Sequence, residues 1–541
     1  MAAPAATRLQ ARDVAALPSG GAAIPLWVWA IGLGVVTALS RVPFRSRYLF
    51  AWDSASFALA LDQYNVAFHQ PQPPGYPLYV AAARLARLVF GEANASYVAL
   101  SIVASGLAVT FLTLAAGALY GRTTALLAAT LLATSSVFWS QGVVAYPYAF
   151  LACFSALVAW LCACLRAGTP HAPALTVLTG GILGLAAGFR TELLPFLAPL
   201  WLYASLGSGG AWRARAAAVL AGCGLAGLAV LAWYVPMVAL SGGWAAYQAA
   251  TASYYAYFIQ TTSGAGKLLL GLLENTRALV GYLYNGLGLA LLPMLYFLGR
   301  YFAPPRLVTD RRARFVLLWL LPPLAFYVAA HIGNPGYVLS VVPALCVYTA
   351  EAIEGFLEDV RQALDALAVR APWLAVAEQG WVTPAAAAAV AAIGLTNTAL
   401  FLAANGEGRY REIRQIDLIL ERQTAYLRAH YPPQSTVLFA YDRSRQYRYY
   451  LPEYRMELLF NVAVAGAVTD TSRYWERRSL FVVPPGITAV VFPDLEQNTS
   501  DQPGPVQAVD LGAGVRLYVA HVAAGDEVRY GYRYASVQRR T

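Results

Sequence analysis

Long apolar runs without a charged side chain recur through the first 404 of the 541 residues, and such runs fold stably only where hydrocarbon or other helices cover them. Crossing a bilayer takes about 20 apolar residues per helix. The run from Thr123 to Leu165 holds no charge and accommodates two helices joined by a turn at Ser140 to Pro147. Only 12% of the chain is charged, roughly half the share of a soluble domain. An integral membrane protein follows.

Apolar runs between charged or proline-rich breaks give about eleven spans. They lie near Ile24 to Ser40, Ala95 to Leu119, Thr123 to Trp139, Tyr148 to Leu165, Ala174 to Phe189, Leu193 to Leu206, Ala216 to Ala239, Leu279 to Leu298, Phe315 to Ala330, Tyr337 to Ala350 and Pro384 to Ala404. Tyr76 to Phe90 is apolar but short and carries Arg84 and Arg87 on one side, which suits a helix lying in the interface. Ile24 to Ser40 runs straight into Arg41 without a cleavage pattern, so a retained first span is expected. After Asn405 the pattern changes. Strand-like runs at Thr436 to Tyr441, Leu480 to Pro484, Ala489 to Phe492 and Val515 to Val522 accompany a helical segment at Arg411 to His430. The expected fold class is a polytopic α-helical membrane module over residues 1–404 with a small soluble α/β domain over 405–541.

Arg300, Arg306, Arg311, Arg312 and Arg314, with Arg122, Arg166, Arg213 and Arg215, fall on one side of this topology, which the positive-inside rule makes cytoplasmic. Arg41, Arg45 and Arg47 fall on the other. An odd number of spans then leaves the N-terminus inside and the terminal domain outside a cytoplasmic (inner) membrane. Residues 41–93, the turn Ser140 to Pro147 and the segment 240–277 face outward with it. The net charge of +10 is spread over loops and tail, where it serves orientation and contact with anionic lipid rather than nucleic acid. All five cysteines lie in apolar segments, and Cys162-Ala163-Cys164 is too tight for a metal knuckle, so buried thiols are expected.

The outward stretch from Trp52-Asp53-Ser54 to Gln70-Pro71-Gln72-Pro73-Pro74-Gly75-Tyr76-Pro77 brings an acid, His69 and a proline turn to one face. An aspartate at a membrane rim needs a watery cavity or a partner, which marks Asp53 for chemistry.

Asp53-Ser54 followed by Pro73-Pro74-Gly75-Tyr76-Pro77 resembles the GT-C glycosyltransferases, in particular bacterial proteins related to protein O-mannosyltransferases and to the lipid A aminoarabinose transferase. Phe138-Trp139-Ser140-Gln141 with Ala145-Tyr146-Pro147-Tyr148, and then Gly184 to Arg190, continue the likeness in order. Gln72 stands where such relatives tend to have histidine, with His69 three residues earlier, and Tyr146 stands where many have glutamate. The resemblance implies transfer of a sugar from a polyprenyl-phosphate carrier, with Asp53 as the base of an inverting displacement. The alternative for Asp53 is a cap on a helix beginning at Ser54.

The remaining candidates carry open alternatives. Arg190 either holds the donor phosphate or pairs with Glu192. Asp62 supports the base or acceptor, or is a solvated helix-face carboxylate. His331 and Tyr337 lie in a glycine and proline turn, either against phosphate or sugar or in an ordinary interfacial turn. Lys267 sits in an aromatic outward segment with Tyr247, Tyr254, Tyr255, Tyr257 and Phe258, which suits a sugar platform or an interface belt; Gly-x-Gly-Lys there is no nucleotide loop. Tyr76 and Tyr146 complete the acceptor side. No cluster of His and carboxylate appears, so a divalent metal is unsupported.

The expected activity is therefore an inverting glycosyltransferase using a polyprenyl-phosphate-linked sugar and an extracytoplasmic acceptor. A multi-pass transporter or lipid flippase would show two related halves and polar groups near mid-membrane. A lipid-diphosphate-dependent glycan ligase or polymerase would place arginines in the central outward loop, where only Lys267 and Arg277 are cationic. A scaffold leaves Asp53 unexplained.

Overall fold

A computed structural model describes residues 24–261, 268–301, 310–368, 381–406, 408–458, 479–495, 506–530 and 535–539. Helix α1 (Leu26–Arg41) leads through an irregular segment to α2 (Trp52–Asp62), and the proline-rich loop separates α2 from α3 (Pro77–Phe90). Then come α4 (Ala93–Tyr120), α5 (Arg122–Thr134), α6 (Ser136–Gln141), α7 (Tyr148–Arg166), α8 (Ala172–Phe189), α9 (Leu193–Leu206) and α10 (Trp212–Leu240). The membrane part ends with α11 (Trp244–Thr261), α12 (Leu268–Leu287), α13 (Leu291–Tyr301), α14 (Arg311–Ala329), α15 (Val342–Ala368) and α16 (Val382–Ala403).

Among the described residues, eight helical stretches are long and apolar enough to cross a membrane. Three of the expected spans take other forms. Thr123 to Trp139 breaks into α5 and α6 at Ser135, whose extended ψ of 124° ends one helix while its hydroxyl accepts the Phe138 N–H and starts the next. Leu193 to Leu206 is helical but only 14 residues long. Tyr337 to Ala350 divides into a 3-10 turn (Pro335–Ser340) and α15, which runs on to Ala368 through an acidic second half. The expected interfacial helix is α3, with Tyr79, Val80 and Ala83 buried and Leu85, Leu88 and Val89 exposed. Arg84 of α3 donates to the carbonyls of Ala60 and Leu61 at 3.0 and 3.1 Å, satisfying the C-terminal end of α2.

Small residues set the tightest helix contacts. Between helices in lipid, close van der Waals approach takes the place of hydrophobic drive. Gly180 and Gly184 of α8, one turn apart, lie against Gly222 and Ala226 of α10. A Cβ on Gly180 would stand 2.5 Å from the Gly222 carbonyl oxygen. One end of the resulting bundle collects cations: Arg122 lies over Trp29, Arg312 over Tyr120, and Arg166 over Tyr203 while donating to the Gly207 carbonyl. The opposite end holds α2, α6, the proline-rich loop and the terminal domain.

That domain opens with α17 (Tyr410–His430) and continues through β1 (Thr436–Ala440), α18 (Ser444–Tyr450) and β2 (Arg455–Leu458). Strands β3 (Ser479–Val482), β4 (Ala489–Phe492), β5 (Gln507–Asp510), β6 (Arg516–His521), β7 (Glu527–Tyr530) and β8 (Ala535–Gln538) follow. β1 pairs in parallel with β2 and β4, which the crossover through α18 permits. The five-stranded sheet has the order β2-β1-β4-β6-β5, and β3-β7-β8 form a separate antiparallel sheet.

Helix α17 anchors the chain just ahead of α2. One Asp417 oxygen accepts the backbone N–H groups of Arg47 and Tyr48 at 3.0 and 2.9 Å, and the other is paired with Arg414 at 2.9 Å. Leu49 N–H donates to the Tyr450 hydroxyl at 2.8 Å. Removing Asp417 leaves two part-buried backbone donors unpaired and takes the carboxylate from Arg414, which keeps the Phe44 and Arg45 carbonyls. Asp417→Ala should therefore cost about 2 to 3 kcal/mol and lower the melting temperature of the detergent-solubilised protein. Melting at the native temperature would mean that these bonds carry no net weight.

Candidate active site

Asp53 stands in the first turn of α2, one residue inside it, because Ala51 takes the extended capping position at φ −137° and ψ 171°. It is thus not the cap that a helix starting at Ser54 would require. The positive end of the helix favours a carboxylate there, yet the surroundings are largely aromatic. Burial drives the Asp53 carboxyl up to about 6, and the charge of Arg190 pulls the other way. Ser54, next to it, is fully buried with its hydroxyl unpartnered.

The loop after α2 is tied at its base by the backbone pair Asn65 and Gln70, at 2.6 and 2.9 Å. His69 at φ 54° and Tyr76 at φ 48° both take the left-handed conformation, and the peptides Gln70-Pro71 and Pro73-Pro74 are cis. Gly75 has φ +114°, and a Cβ there would meet Met237 Sδ at 2.7 Å and the Tyr64 hydroxyl at 2.8 Å, so glycine is required on both counts. Tyr64 donates to the Gly75 carbonyl at 2.7 Å and Tyr247 to that of Pro74 at 3.3 Å. The turn is held from two sides, and it delivers the Tyr76 ring to Arg190.

Arg190 follows the last residue of α8 and is 3% exposed. Its guanidinium carbon lies 5.4 Å from the Tyr76 ring centre, 4.8 Å from that of Tyr148 and 4.9 Å from that of Tyr337, a three-sided aromatic box. Its Nε donates to Glu192 at 2.7 Å, and a second nitrogen also pairs with that carboxylate. A further N–H reaches the Tyr76 hydroxyl at 3.4 Å. The sequence left Glu192 or phosphate open as the partner of Arg190; in this state Glu192 occupies the fork.

His331 stacks edge-on against Tyr337 at 6.0 Å, and Tyr337 against Tyr148 at 5.5 Å. Tyr146 extends the aromatic row through Tyr148 and Phe50. His69 is buried between Trp52 and Tyr254, with ring centres 6.2 and 5.7 Å away. Burial, aided by the Arg445 charge, lowers its pKa to about 4, so its ring is neutral near pH 7. Asp62 stands apart, about 13 Å along α2 from Asp53, in an exposed ion pair with Arg87 at 2.6 Å. Lys267 lies outside the described residues.

Three residues enter without having been singled out as site residues. Tyr148 and Tyr254 were visible as aromatics but not as neighbours of Arg190 and His69. Arg445 is the larger omission: α18 carries it onto the Trp52 ring, 4.9 Å from the centre, and nothing in its local sequence marks it. No group of three or more His, Cys, Asp or Glu residues able to hold a metal occurs among the described residues.

Residues 53–207 match the family model described as Protein O-mannosyl-transferase TMEM260 N-terminal domain. No curated protein sequence matches the chain. Among solved structures the chain is similar to ArnT from Cupriavidus metallidurans bound to undecaprenyl phosphate, at 14% identity and TM-score 0.55, covering 93% of this chain and 99% of that one. The apo state of the same protein gives 14% identity, TM-score 0.53, and 91% and 97% coverage. The oligosaccharyltransferase of Archaeoglobus fulgidus in its apo form gives 12% identity, TM-score 0.50, and 86% and 69% coverage. At these identities the structural likeness is one of fold. Over nearly its whole length this chain shares the GT-C-type membrane fold of ArnT, and its residues 53–207 carry the matched amino-terminal domain.

Proposed function

We propose that the protein is an inverting glycosyltransferase that moves a sugar from a polyprenyl-phosphate carrier to an acceptor outside the cytoplasmic membrane. The observation that carries this reading is Asp53, a half-buried carboxylate with its pKa lifted to about 6, beside the boxed cation of Arg190. A base tuned close to working pH combines the right protonation state with proton affinity. The likeness in fold to a protein solved with undecaprenyl phosphate supports the donor class. Orientation rests on the cationic opposite end of the bundle, which the positive-inside rule assigns to the cytoplasm. The acceptor lies with the site and the terminal domain on the other side.

In the proposed step, Asp53 takes the proton of an acceptor hydroxyl as its oxygen attacks the anomeric carbon. The bond from that carbon to the phosphate oxygen breaks on the opposite face, and its electron pair leaves with the polyprenyl phosphate. One displacement inverts the sugar without a covalent enzyme intermediate. Arg190, fixed by Glu192 and three rings, supplies a positive field that needs no reorganisation as phosphate charge develops. Tyr76, Tyr148 and Tyr337 present ring faces on which a sugar or isoprenoid packs.

The test is transfer from labelled polyprenyl-phosphate sugars by the purified protein. Asp53→Asn should lower turnover by about 10²- to 10⁴-fold while leaving the melting temperature unchanged or raised, since an amide avoids the cost of a desolvated carboxylate. Equal turnover removes Asp53 from the role of base.

For the native enzyme, kcat/KM should rise with pH through about 6 and level off, because below that value Asp53 already holds a proton. Arg190→Ala removes the cation that holds this pKa down and leaves Glu192 nearby, so the midpoint should move to higher pH as turnover falls. A midpoint that stays in place would separate Arg190 from Asp53 electrostatically.

A further inference from the structure

The buried arginines Arg190 and Arg445 differ in how they are satisfied. Arg190 has a carboxylate partner in Glu192, whereas Arg445 is 3% exposed and has no carboxylate partner among the described residues. One of its terminal nitrogens has no hydrogen-bond partner at all, and the other reaches only the Phe68 carbonyl at 3.4 Å. Beside it, His69 is equally buried, and its Nδ1 is unpartnered. Gln72 and Gln446, close in sequence to these two, each keep a buried, unpartnered side-chain oxygen. Buried polar atoms are normally paired, and an unpaired cation is the most costly exception. An open N–H donor on a cation, together with open acceptor atoms, complements a group that bears both anionic oxygens and hydroxyls.

We propose that Arg445 and His69 form an anion subsite, built jointly by the terminal domain and the first loop, that takes the phosphate of a sugar-phosphate ligand. This rests on the transferase reading and deepens it. Arg445 stacks on the Trp52 ring, whose other neighbour is His69, so the two candidate ligands flank one indole where the terminal domain meets the first loop. The atoms are closed off from solvent in this state, so ligand access requires α18 to part from α2. A phosphate can come from the lipid-linked donor or from a water-soluble acceptor, and both share this chemistry.

Binding measured without turnover tests the subsite separately from transfer. Undecaprenyl phosphate in detergent, mannose 1-phosphate and inorganic phosphate are titrated into the native protein, Arg445→Gln and Arg445→Lys. Arg445→Gln should weaken binding at least about tenfold, with Arg445→Lys between. Its ligand-free melting temperature should stay or rise, because an unpaired charge has gone; a purely structural arginine would lower it. Loss confined to undecaprenyl phosphate assigns the subsite to the donor, and loss confined to the soluble phosphates assigns it to the acceptor. Should Arg445→Gln not fold, His69→Asn, which tolerates the left-handed backbone, carries the same titration. Equal binding by native protein and variants, or no binding of any probe by the native protein, overturns the subsite. Either result leaves the Asp53→Asn transfer test standing on its own.

Discussion

In hydrocarbon every backbone N–H and C=O must find its partner within the protein, and this one constraint divides the molecule into regular and irregular parts. Helices carry the mid-membrane region. Left-handed residues, the bridge between Asn65 and Gln70, and the 3-10 turn at Pro335–Ser340 are gathered at one end. Irregular backbone is also what turns side chains such as Tyr76 and His69 away from the regular spacing of a helix. The proposed chemistry sits at that end, where irregular backbone brings these side chains together.

Around Asp53, electrostatics are set by dehydration and then trimmed by one charge. Aromatic walls raise the proton affinity of Asp53, and Arg190 limits how far it rises. Arg190 is itself immobilised by Glu192 and the box of Tyr76, Tyr148 and Tyr337, so its field is fixed before any substrate arrives. Preorganised charge of this kind acts without paying solvent reorganisation during the reaction.

Much of this was legible in the residues. Apolar runs such as Tyr148 to Leu165 could only be spans, and Asp53, Arg190 and Tyr337 fell on one face of the deduced topology and do converge. The failures have specific causes. Glu351, Glu354 and Glu358 interrupt the apolar run after Tyr337, so α15 read as ending near Ala350, although an amphipathic helix tolerates acids on its outer face. Strands β5, β7 and β8 carry only two apolar residues each, unlike the apolar runs of β3 and β4, so they left no strand signal. Arg445 could not be found from sequence at all, because its neighbour Trp52 is met only through tertiary contact between α18 and α2.

The Asp417 clasp on Arg47 and Tyr48 joins positions 370 and 369 residues apart. During synthesis at roughly 5 to 20 residues per second, the first loop waits roughly 20 to 70 s for that carboxylate to emerge. Until then the approach to α2 lacks these two hydrogen bonds. The approach to α2 is thereby completed only after more than three quarters of the chain, up to Asp417, has been made.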